Sequence, residues 1–275
     1  MAKGLGIIGN FKGKVGNIVG YNLKDSNNKQ TQGLRAYQPV VRNPKTSRQA
    51  EQRAKMAPIN ATYRALKGII DRGQEGVAYG NKSRLRFLSE AMKQFDGPWF
   101  EKGDAVTLPI KNNITKGSLP TIGMFQVAED LATTRLELQG EKIPASVGAL
   151  TIALLAGNSF LKEGDQLTFV GVSKNGSSVF SVVLDSTSTE ATSLLVIDSG
   201  RLAFSYLYVM DANTCAACCI LSREGDNGQH LRSTAALVLS DDAAADTHYT
   251  STAKDAAIES YMAANGNTDW PQEQL

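Results

Sequence analysis

Three cysteines crowded into the segment TCAACC, Cys215, Cys218 and Cys219, are the residues most obviously equipped for chemistry. Thiolates bind zinc, and Cys215 with Cys218 has the spacing of half a zinc site. A tetrahedral site needs four ligands, however, and no second pair exists; His230 and His248 would have to complete it from afar. Read as a strand, CAACCILS turns Cys215 and Cys219 one way and Cys218 the other, as expected of small core residues rather than of one compact site. No metal is expected. An odd cluster this tight cannot make a disulfide framework, which fits a reducing compartment.

Glycine motifs carry no stronger signal. GLGIIG at residues 4–9 matches the dinucleotide pattern GxGxxG, but that pattern works only between a strand and a helix, and only three residues precede it. GNFKGKVGNIVG lacks the spacing of a phosphate loop and has Val15 where a metal-binding hydroxyl is required. The two histidines have no nucleophile signature near them. The expectation is therefore no catalytic residue and no cofactor, and the chain reads as a building block of a larger assembly.

The elements that would position such a building block are legible in outline. A chain of 275 residues is long enough for two domains of ordinary size. Residues 1–42 are rich in Gly and then in Asn and Gln, with β-favouring runs at 16–23 and 34–41, which predicts an extended arm or hairpin. An arm so poor in bulky side chains cannot build its own core and implies a partner.

Residues 43–103 read as a helical segment. Asn43-Pro44 ends the strand signal, and Thr46 followed by Gln49 has capping-box spacing, so a helix should start near Ser47. Ala50, Ala54, Ala57, Ala61 and Ala65 recur at helical spacing, and Pro58 is where that helix would bend. A second helix over 81–95 should bury Leu85, Leu88, Met92 and Phe95.

Over 104–242 the pattern changes to short period-two runs, AVTLPI, TRLELQG, LTIALLA, QLTFVGVS, VFSVVLD, LAFSYLYVMD, CAACCILS and STAALVLS, which predict an antiparallel β-sandwich. Residues 243–275 should form a tail with a short helix carrying Ile258, Tyr261 and Met262. The fold class expected is α+β: arm or hairpin, two helices, an Ig-like β-sandwich and a C-terminal helix.

Net charge is only +2, but residues 1–100 hold 18 Lys and Arg against 6 Asp and Glu, whereas residues 101–275 hold 11 against 21. Opposite halves of this kind suit head-to-tail contact between copies, or a basic arm on nucleic acid. No apolar run is long enough to span a bilayer, and the N-terminus lacks the continuous apolar core and cleavage site of a signal peptide, so synthesis in a cytoplasm and no membrane partner are expected.

The residues GNFKGKVGNIVGY at 9–21 and NPKTSRQAEQRAKM at 43–56 resemble a large protein family of Bacteroidetes and their crAss-like phages, in which FxGKVGNxVG and NPxTxxQxxQR stretches open the chain. ITKGSLP at 114–120 and GDQLTFVGVS at 164–173 are similar to later signposts of that family. The resemblance implies an N-terminal arm and helices before a β-sandwich and, for phage members, a place in the virion near portal and tail. The expected role is a structural protein of a bacteriophage particle, a ring, collar or tail-adaptor subunit made in the bacterial host cytoplasm. Its partners would be copies of itself in a ring and neighbouring portal, ring or tail proteins, with DNA as the alternative contact. Phe11, Val15, Ile18, Val19 and Tyr21 are the candidate assembly residues of the arm, with Arg48, Arg53 and Lys55 as charge partners. A carbohydrate-binding module is the weakest alternative, since only Trp99 and Trp270 exist and neither lies in the β region.

Overall fold

The computed structural model describes residues 13–24, 30–37, 46–128, 131–138, 144–174, 176–192, 195–205, 214–225 and 228–263. The chain forms two compact units, residues 1–44 and 45–275. The class is α+β with antiparallel sheets.

The first unit is a three-stranded antiparallel sheet of β1 (Gly13–Val15), β2 (Ile18–Lys24) and β3 (Gln30–Ala36) in that order. The expected hairpin therefore gains a strand, because Gly16, at φ 58°, lets the chain reverse between Val15 and Ile18. The second strand of the hairpin also sits earlier than its run of β-formers, since pairing runs from Ile18 opposite Ala36 to Lys24 opposite Gln30. Residues 38–45 lie outside the described residues.

In the second unit come α1 (Ser47–Ala65), the single turn α2 (Lys67–Ile70) and α3 (Asn81–Lys93). They are followed by β4 (Asn113–Thr115), β5 (Met124–Val127), β6 (Leu131–Glu137) and α4 (Val147–Gly157). Next are β7 (Gln166–Ser173), β8 (Gly176–Val183), β9 (Leu195–Asp198), β10 (Arg201–Ser205) and the long β11 (Thr214–Glu224). The chain closes with β12 (His230–Arg232), β13 (Ala235–Ala236), β14 (Val238–Leu239), the turn α5 (Asp241–Ala244), a 3-10 turn (Thr247–Tyr249) and α6 (Ser251–Ala263).

One sheet has the order β5-β6-β10-β9; another has β12-β11-β7-β8, with β14 also on β11. Strand alternation explains how the second sheet carries a core on each face. Leu167, Phe169, Ala217, Cys219 and Leu221 join Ala132, Leu136, Leu202 and Phe204 of the first sheet, with Leu150 and Leu154 of α4. Phe169 and Phe204 meet at 5.0 Å between ring centroids, so the two sheets touch directly. On the opposite face, Val170, Val172, Ala216, Cys218 and Ile220 pack with Ile59 of α1 and Phe87 and Ala91 of α3. A strand covered on both sides must be apolar throughout yet slim, which is why β11 reads CAACCIL.

Gly117 lies where the chain leaving β4 passes Arg232: a Cβ there would stand 2.0 Å from the Arg232 carbonyl oxygen, so only glycine fits.

Helix α1 starts at the expected place, with Thr46 Oγ1 accepting from the Gln49 backbone N–H at 3.4 Å. The capping box is half-made, because Gln49 Oε1 is buried without a partner among the described residues. The helix continues through buried Pro58. Tail helix α6 docks on α1 through Ala257, Ala54 and Trp99.

Three expectations are corrected. LTIALLA lies in helix α4 rather than a strand: it is apolar on every side, so it has no period to read, and Ser146 caps it by accepting from the Ala149 N–H. AVTLPI forms no strand; Val106 and Leu108 pack in a small cluster with Phe100 and Cys215. Helix α3 turns Ser83, Phe87 and Ala91 inward, leaving Leu85 56% exposed, while Leu88, Met92 and Phe95 are partly buried beside that face.

Candidate assembly surfaces

Glycine spacing lets the arm fold flat and leaves its larger side chains outside. Gly20 of β2 is buried, and the Tyr21 ring lies over Gly33 of β3, where a Cβ would come within 2.6 Å of it. Lys14 places its ammonium 3.5 Å from the centre of the Tyr37 ring. What remains is uncovered: Val15 is 57% and Leu34 52% exposed, with Ile18, Tyr21 and Tyr37 exposed as well. Of the sequence-derived candidates, Val15, Ile18 and Tyr21 are exposed and Val19 is half-buried, whereas Phe11 lies outside the described residues.

In the second unit, Arg48 and Arg53 are exposed on α1. Lys55 is already engaged. Its Nζ is 2.7 Å from Glu51 Oε1, one turn away, and 5.8 Å from the Trp99 ring centre. That contact holds the Glu51 carboxyl below the usual carboxylate range.

A second surface, which sequence reasoning missed, runs along β8. This strand ends its sheet and pairs with β7 over eight residues without a register shift, from Gln166 opposite Val183 to Ser173 opposite Gly176. Its sequence GSSVFSVV contains none of the charges, prolines or bulges that normally blunt a free edge. Beside it is a groove of about 460 Å³. Four consecutive residues, Phe180 to Val183, line it; since neighbours on a strand point to opposite faces, the groove must follow the edge itself. Leu195, the first residue of β9, and Val147 add apolar lining, and Asp185 and Glu190 add acidic lining. The segment that carries Glu190 is pinned: Val147 N–H donates to Glu190 O at 2.8 Å and Gly148 N–H to Ser188 O at 3.0 Å.

Several groups able to do chemistry are engaged in the fold. The expectation that Cys215 and Cys219 share a side is corrected, because the β11–β7 register shifts between Thr214 and Ala216 and turns Cys215 into the cluster around Phe100. The three thiols thus face three different clusters, and burial pushes each of them up, away from the thiolate that bonding to metal or substrate requires. Among the described residues no group of His, Cys, Asp and Glu could hold a metal ion.

Asp246 and His248 form a helix cap. Asp246 Oδ1 accepts from the His248 backbone N–H at 3.0 Å and lies 2.6 Å from the ring Nδ1. Burial pushes the Asp246 carboxyl up, but these contacts outweigh it and leave it below its ordinary value.

A further cleft of about 460 Å³ is lined by Arg72, Gln74, Glu75, Tyr79 and His230. Glu75 is tied into the backbone: Oε2 accepts from the N–H groups of Ser118 (2.8 Å) and Arg232 (3.1 Å), and Oε1 from the Ser118 hydroxyl (2.8 Å). Trp99 is buried against α1 and α6 and offers no sugar platform. No helix among the described residues is long and apolar enough to cross a membrane.

No protein-family model, no curated protein and no solved structure matches the chain.

Proposed function

We propose that this chain is a non-catalytic structural subunit of a phage particle, a ring, collar or tail-adaptor protein near the portal, whose second unit is built on an Ig-like β-sandwich and which assembles through its N-terminal arm. The observation that carries the reading is the arm itself: a three-stranded sheet on which Val15, Ile18, Tyr21, Leu34 and Tyr37 are exposed. Three strands are about the smallest sheet that holds by itself, and only with an apolar face to pack, so these side chains are what added contacts would cover. The resemblance of residues 9–21 and 43–56 to crAss-like phage proteins supports the virion setting.

The test is removal of residues 1–42. The full chain should form closed rings visible by electron microscopy, and the truncated chain should be a folded monomer by light scattering. Rings of the same size from the truncated chain would overturn the reading.

The rival, contact with packaged DNA, draws on exposed Arg48 and Arg53 in the second unit. A salt titration separates the two: micromolar or tighter DNA affinity that collapses with salt favours the rival.

A further inference from the structure

We propose that the groove along β8 of one protomer receives the arm of a second copy, with strand β3 of that arm extending the sheet at β8. The inference rests on the assembly reading and names the surface that the arm meets.

Four observations converge. First, β8 is a neutral, unbroken edge with no further strand paired to it among the described residues, the kind of strand that templates another chain. Second, β3 ends the order β1-β2-β3, and its seven residues nearly match the eight of β8. Third, the charges are complementary. Residues 1–44 contain seven Lys and Arg against one Asp, whereas the groove has Asp185 and Glu190 and no Lys, Arg or His among its lining residues. Fourth, the side-chain pattern fits. Leu34, 52% exposed, and Arg35 are neighbours on β3, so one points to each face of an added strand; the groove is lined by both apolar and acidic residues that could take them.

The segment that carries Glu190 is also packed tightly on α4: a Cβ on Gly148 would stand 2.6 Å from Ser188 O. Arm of one copy on edge of the next is a head-to-tail contact, which closes into a ring when the rotation permits.

The test uses the full chain. One population carries Leu34→Cys, a second carries Val179→Cys or Val183→Cys, and a decoy carries Leu85→Cys, which is 56% exposed on α3. The native thiols are buried and do not compete. After mixing under mild oxidation, disulfides between Leu34→Cys and either β8 position should form at least about tenfold faster than with the decoy, because bridging demands Cβ atoms within about 4.5 Å. Adding Asp185→Lys and Glu190→Lys should slow them by about tenfold.

Equal rates at β8 and the decoy would overturn the proposal. So would a disulfide closing inside one protomer that carries both substitutions. If removal of residues 1–42 abolishes the ring while cross-linking fails, the assembly reading stands and this surface is wrong; if removal has no effect either, both fall.

Discussion

Arg223 grips Asp165 with two prongs, Nε to Oδ1 at 2.6 Å and Nη2 to Oδ2 at 2.7 Å, and the Asp165 side chain has no exposed surface. The carboxylate also accepts from the Lys162 N–H at 2.8 Å, and the guanidinium donates to Phe160 O at 3.0 Å. This pair ties the end of β11 to the turn between α4 and β7. Arg223→Met, leaving a buried carboxylate uncompensated, should lower unfolding free energy by about 3–5 kcal/mol in urea titrations. Arg223→Met with Asp165→Leu should recover at least half of the loss, and a double variant no better than the single would contradict this account.

Glu75 makes stability depend on acid. Burial pushes its carboxyl up, but the hydrogen bonds from Ser118 and Arg232 outweigh that and hold it below the ordinary carboxylate value. A depressed native value means that the contribution is present above the unfolded-state pKa of about 4.3 and is lost as pH falls through the lower native one. Glu75→Gln should therefore cost about 1 kcal/mol at pH 7 and flatten the decline below about pH 4.5. Parallel pH profiles for the two proteins would exclude the effect.

Helix α3 offers a paired test of which face is inward. Phe87, 1% exposed, should cost about 3–5 kcal/mol when changed to Ala, whereas Leu85→Ala should stay within about 0.5 kcal/mol. Thermal melts of both decide it, and equal losses would restore the simple apolar-stripe reading.

Thiol titration should find no group reactive in native buffer and three after unfolding, since Cys215, Cys218 and Cys219 are all buried. Rapid labelling of Cys218 or Cys219 in the folded chain would mean that β11 is not held between two cores.

Local pattern carried part of this fold and not the rest. The run QLTFVGVS is β7 residue for residue, and Thr46 and Ser47 mark the start of α1, because period and capping are written within a few neighbouring positions. LTIALLA deceived because its exposed positions, Ile152 among them, are as apolar as its buried ones, so neither period shows, and only the Ser146 cap distinguishes it. The apolar residues of the arm stood out for their isolation among glycines. The β8 groove had no such signature: whether a strand is an edge depends on strand order, and that order is set by β7 pairing with β11 some forty residues on.

A slim strand clasped between two apolar layers leaves the second unit with no seam at which to come apart. Cutting before residue 104 would strip the helices from Val170, Val172 and Ile220 and present one bare greasy face on each fragment. Loss of either layer should thus melt the other, so that the whole unit unfolds in a single transition.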